Sequence, residues 1–131
     1  MARSSDLTGV WHGLYTYEMA AEPIYFVATL IESGRWLTGS THESEIGRNG
    51  APLTLFAMIE GGRAELSVRF TKTYDGTGGW SHSVAYDGTL SPDATEVEGR
   101  WTIGREASGR FLMIRSAGAS ESVVRRAFAK V

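Results

Sequence analysis

The sequence predicts an all-β fold: an eight-stranded antiparallel up-and-down β-barrel, closed by pairing of its first and last strands. Three observations predict it. Sixteen glycines against three prolines, among many Val, Ile, Thr, Trp, Tyr and Phe, describe short strands joined by tight turns rather than a helical bundle. Apolar side chains alternate with polar ones along successive segments, the period of a half-buried strand. The segments follow one another with turn formers at their junctions, which is hairpin order. With 131 residues, 42% of them hydrophobic and 21% charged, the chain is read as a single barrel domain over 1–131 with one core.

The elements follow in order. Ser4, Ser5 and Asp6 make a capped turn, since their side chains satisfy free backbone N–H groups. The first strand is 9–17, and the second, 24–32, follows a loop ending at Glu22-Pro23. Ser33-Gly34 turns the chain into the third strand, 36–44. Residues 45–52 carry four turn formers and no period, and are read as a mobile loop. The fourth and fifth strands, 53–60 and 63–74, flank Gly61-Gly62, which supplies the positive φ of a two-residue hairpin. Asp75-Gly76-Thr77-Gly78-Gly79 is a mouth loop; it lacks the lysine and following helix of a phosphate loop. The sixth strand runs from Trp80 or His82 to Leu90, Ser91 to Thr95 turn, and 96–103 and 109–116 complete the set. After Gly118 the period changes: Val124, Ala127, Phe128 and Val131 recur at i, i+3, i+4 and i+7. That pattern predicts a short C-terminal α-helix over about 119–131, packed outside on Leu14, Leu112 and Ile114.

Gly9-Val10-Trp11 after a short turn, with Arg115 in the last strand, resembles the Gly-X-Trp signature of the calycin superfamily: lipocalins, avidins and fatty-acid-binding proteins. The resemblance implies structural roles, with Trp11 plugging the closed end of the barrel and Arg115 packing on it. Residues 37–44 are somewhat similar to an avidin third strand. Gly13, Tyr17 and Thr41 stand where avidins place other biotin-contacting residues, so biotin binding is not carried over.

Alternation assigns a face to every side chain once one anchor is set. Trp11 inside puts Gly13, Tyr15 and Tyr17 inside, and apolar parity selects the inward set of the other strands. Opposite strand directions then assign depth. Trp11, Leu30, Leu37, Ile59, Leu66, Leu90, Val97 and Arg115 collect at the closed end as a plug. Toward the open end lie the candidate ligand-binding residues: Tyr15, Tyr17, Phe26, Glu43, Lys72, His82, Tyr86, Trp101, Phe111 and Met113. Small Gly13, Ala28, Gly39 and Ala57 among these aromatics are expected to leave room for a ligand.

Composition narrows the function classes. A formal net charge of −2 gives no electrostatic case for nucleic acid or an anionic membrane. The absence of cysteine removes disulfides and thiolate chemistry. No metal or cofactor is expected: His12 and His42 fall outward, leaving His82 as the one inward imidazole. The longest apolar runs are too short for a membrane span and the N-terminus lacks a signal-peptide core, so the expected location is cytoplasmic. Glu43, Lys72 and His82 allow three readings: a satisfied ion pair at a wet rim, a polar anchor for an apolar or aromatic ligand, or general acid–base catalysis. The leading function is therefore a small-molecule-binding barrel. The alternative is an isomerase, cyclase or hydrolase working on an apolar substrate. Outward Tyr25, Val27, Ile31, Phe56 and Met58 further predict a homodimer.

Overall fold

A computed structural model describes residues 6–18, 22–47 and 49–115. Eight strands run β1 (Gly9–Tyr17), β2 (Ile24–Ser33), β3 (Trp36–Ile46), β4 (Pro52–Ala64), β5 (Ser67–Tyr74), β6 (Ser83–Leu90), β7 (Glu96–Ile103) and β8 (Ala107–Arg115). Each pairs antiparallel with the next, and β8 returns to β1, so the sheet closes into a barrel in simple up-and-down order. Closure removes every edge that would otherwise offer unpaired backbone groups. The short 3-10 turn Thr77–Gly79 is the only helical element among the described residues, and no helix there is long and apolar enough to cross a membrane. The C-terminal helix expected over 119–131 lies outside the described residues.

Burial follows the alternation. Along β3 the side chains of Leu37, Thr41 and Glu43 are buried while Thr38, Ser40 and His42 are not, and β5 and β6 alternate throughout. Trp11 is fully buried at the β1–β8 seam: its Nε1 donates to the Leu7 carbonyl at 2.9 Å, and the Arg115 guanidinium lies 4.7 Å from its ring centroid. Arg115 Nη1 also donates to the Thr8 carbonyl at 3.3 Å, which ties the last strand to the segment that enters the first.

The β4–β5 hairpin departs from expectation. Gly61 and Gly62 do not form its turn; β4 continues through them to Ala64, and the chain reverses at Glu65 and Leu66, with Glu65 at φ 54°. The reason is packing. A Cβ on Gly61 would sit 2.1 Å from the Arg69 carbonyl oxygen and 2.5 Å from the Phe70 Cα, so glycine there admits the close approach of β5. As a consequence Leu66 caps an exposed turn instead of joining the plug. Its place is taken by an ion pair the alternation did not bring out: Arg63 Nη1 lies 3.1 Å from Glu32 Oε1, which also accepts the Leu7 N–H at 2.9 Å. Both side chains are almost wholly buried. Residues 45–52 also differ, because β3 extends to Ile46 and pairs it with Pro52, leaving a tight connection closed by the Gly47 N–H on the Ala51 carbonyl at 2.8 Å.

Leu14, Leu112 and Ile114 form a second buried cluster on the outside of β1 and β8, separate from the barrel core.

Candidate functional site

Three strands bring the polar layer together. Tyr15 comes from β1, Glu43 from β3, and Lys72 and Tyr74 from β5, two residues apart and therefore on one face. Glu43 accepts three hydrogen bonds: from Tyr15 Oη at 2.6 Å, from Tyr74 Oη at 2.8 Å and from Lys72 Nζ at 3.3 Å. Glu43 is 2% exposed and Lys72 1%, so this is a fully interior ion pair rather than one at a wet rim. Four rings surround the ammonium, with centroids 4.9 Å (Tyr15), 5.2 Å (Phe26), 4.9 Å (Tyr74) and 5.4 Å (Tyr86) from Nζ. Their negative faces replace part of the lost hydration. On the same inner face of β3, the buried Thr41 Oγ1 has no hydrogen-bond partner among the described residues.

Above this layer the open end is roofed with aromatics. Trp101 donates its Nε1 hydrogen to the Thr16 carbonyl at 3.0 Å and meets Tyr17 edge-on at 4.8 Å. Trp80 packs against Tyr74 and His82 at 5.2 and 5.5 Å between ring centroids. The loop that carries Trp80 is anchored by the Asp75 N–H on the Phe56 carbonyl at 3.0 Å and by Gly78 set against Leu53. A cavity of about 10 Å³ remains among Tyr15, Tyr17, Trp80, His82 and Trp101. That is room for a single water at most.

The expected space is filled from within. The Phe26 ring lies over Gly13, where a Cβ would come within 2.2 Å of it, and the Phe111 ring lies over Gly88. Of the ten residues expected to bind ligand, Tyr15, Tyr17, His82, Tyr86 and Trp101 border the mouth cavity. Glu43, Lys72 and Phe26 belong to the polar layer beneath it. Phe111 stands edge-on to Tyr86 at 4.9 Å, and Met113 pairs with Gly13 and Val97, so both fill the core. His82 precedes β6 and is exposed; its backbone carbonyl receives the Tyr74 N–H at 3.1 Å. Tyr74 is the residue that sequence reasoning missed, and its signal was present, since it continues the inward parity of Lys72 by one step.

Burial shapes the protonation of this layer. Desolvation pulls the Lys72 ammonium below the usual lysine value, against the opposing attraction of Glu43. Desolvation also pushes the hydroxyls of Tyr15 and Tyr74 well above the usual phenol value, with the Glu43 charge adding to it, and raises Tyr86 as well. For a tyrosine so raised, the unfolded chain releases its proton above about pH 10 while the folded chain keeps it. The folded state then holds more protons, so stability present below pH 10 is lost as pH rises, by about 1.4 kcal/mol per pH unit for each such tyrosine. Urea titrations above about pH 10 are expected to show this fall in wild type. Tyr74→Phe should make it shallower, and an unchanged slope would remove Tyr74 from the account.

No family model matches the chain, and no curated protein matches it. Among solved structures it is similar to a de novo designed fluorescence-activating beta barrel, with a TM-score of 0.58 and 13% identity over 88% of this chain and 100% of that one. At that identity the likeness establishes the closed barrel fold.

Proposed function

We propose that the protein is a small-molecule-binding barrel. The site is the Tyr15, Glu43, Lys72 and Tyr74 layer together with the aromatic mouth above it, and the ligand has an apolar or aromatic body with one polar group. The observation that carries this reading is an interior ion pair beside an unpartnered Thr41 hydroxyl, in a barrel that apolar side chains would fill with more stability. The glycine-rich loop over Leu53 must lift and the Tyr17 and Trp80 rings must turn for a ligand to enter. The similarity to a designed fluorescence-activating barrel is in keeping with this use of the fold. Packing of Arg115 on Trp11 supports the likeness to the calycin superfamily, and a cytoplasmic location belongs to the same reading.

Titration with naphthol, naphthoic acid and naphthylamine, followed by tryptophan emission, tests it. Saturable quenching that ranks the three by polar group, with a ranking altered in Lys72→Met, is expected. No saturable change with any of them would sink the proposal.

A second reading is an isomerase, cyclase or hydrolase that moves protons through Lys72, Glu43 and His82; the 2.6 Å contact of Tyr15 with Glu43 favours it as a ready proton path. A histidine at the exposed mouth would serve such chemistry only from above the layer.

The outer wall carries a separate proposal, a two-fold homodimer. Along the outward positions of β1 to β4, Glu60 is the single charged side chain among the described residues, while β5 to β7 present Arg69, Asp87, Glu98 and Arg100. Exposed Phe56 and Met58 stand beside a groove of about 550 Å³ formed over Val27 and His42, so one surface holds both knob and recess. Light scattering is expected to give a dimer for wild type and a monomer for Phe56→Glu. A wild-type monomer at high concentration would dismiss the pairing.

A further inference from the structure

We infer that Lys72 is a carbonyl-capturing amine, and that the ligand class of the barrel is a small aldehyde or ketone with an apolar body, held as an iminium on Nζ. The inference rests on the binding reading above and deepens it. Its first support is residue choice. The chain has eleven arginines and two lysines, Lys72 and Lys130, and one of the two stands in the centre of the barrel. An ion pair kept only for structure is served better by arginine, whose planar fork meets a carboxylate in two places, whereas a buried lysine can give up its proton and act as a nucleophile.

The polar groups around Nζ match each proton transfer of the capture once the mouth has opened to admit the carbonyl. Glu43 Oε1, 3.3 Å from Nζ, is placed to take the ammonium proton, and burial already favours the neutral amine. The lone pair so exposed forms a C–N bond with the carbonyl carbon as the C–O π pair moves to oxygen. That oxygen takes a proton from the new ammonium nitrogen, relayed by the Tyr15 and Tyr74 hydroxyls held on Glu43. The result is a neutral carbinolamine. Its hydroxyl leaves as water with the proton stored on Glu43, while the nitrogen lone pair forms the C=N bond. One ammonium and one carbonyl compound have become one iminium and one water, Glu43 is again a carboxylate, and no oxidant or reductant is consumed. The four rings around Nζ attract the iminium as they attract the ammonium, so the product keeps its electrostatic partners. Thr41 Oγ1, unpartnered on the same inner face as Glu43, is available to the departing hydroxyl.

Benzaldehyde with sodium cyanoborohydride provides the test on the full chain, because reduction fixes an iminium as a benzyl amine that peptide mapping locates. Lys130 and the N-terminal amine serve as internal references. An ordinary exposed lysine is neutral in only about one molecule in a thousand near pH 7, and each unit by which its pKa falls raises that fraction about tenfold. The expected result is benzylation of Lys72 ahead of Lys130, and its loss in Lys72→Arg with Lys130 unaffected. The wild-type map stands alone if the variant fails to fold. Lys72 left unmodified while naphthol still quenches tryptophan emission would overturn the carbonyl assignment and leave the binding reading intact. No modification of Lys72 and no quenching would overturn both.

Discussion

Replacing Lys72 with methionine is expected to destabilise the protein by about 3–5 kcal/mol, the range for breaking a buried ion pair by removal of one partner. Methionine matches the lysine stem in shape, so the loss is electrostatic rather than a cavity. Glu43 keeps the hydroxyl donors of Tyr15 and Tyr74, which places the expected cost toward the lower end of that range. The opposite change, Glu43→Gln, should cost less, because Lys72 can shed its proton and remain among its rings as a neutral amine. Combining the two changes removes both charges, and the double variant should recover most of the stability of wild type. The pH profile separates this account from a packing defect. Unfolded chain holds the Lys72 proton up to about pH 10.4 and the folded chain releases it earlier, so between those points wild-type stability rises with pH. Lys72→Met lacks that rise, and its deficit should therefore widen toward alkaline pH. Urea midpoints that coincide for wild type and Lys72→Met would contradict the buried pair.

Truncating Trp11 to alanine is the other large effect, about 3–5 kcal/mol for loss of a fully buried aromatic. The ring is fully buried, its N–H binds the Leu7 carbonyl, and its face carries the Arg115 guanidinium. Alanine there opens a void, orphans the Leu7 carbonyl and removes the ring beneath the Arg115 guanidinium, which keeps its bond to the Thr8 carbonyl. Loss of amide protection should concentrate at the β1–β8 seam, where Trp11 pairs with Arg115. Trp11→Phe keeps most of the filling and the cation–π contact and should recover much of the loss. Hydrogen exchange that loosened β4 and β5 before this seam would argue against a plug role.

Lys72 and Trp11 are both legible in the amino-acid sequence, and so is the barrel. A strand alternates its side chains by local geometry alone, so Trp11 and the apolar parity of each segment are enough to set Glu43 and Lys72 inside and to place the eight strands. The same rule, carried one step further, reaches Tyr74, and on β2 it reaches Glu32. Arg63 is out of its reach, because two adjacent glycines signal a turn unless the neighbouring strand is known to need the space; the closeness of Arg69 and Phe70 is a fact of pairing. The open or filled state of the interior is equally out of reach. Glycines and alanines within one strand do leave gaps, but a gap at Gly13 survives only if no ring arrives from next door, and Phe26 arrives from β2. The face of a side chain is a property of its own strand, whereas the volume left at the centre is a sum over all eight. Tertiary structure alone decided that sum, which leaves a cavity of about 10 Å³ at the mouth and a lysine enclosed by four aromatic rings beneath it.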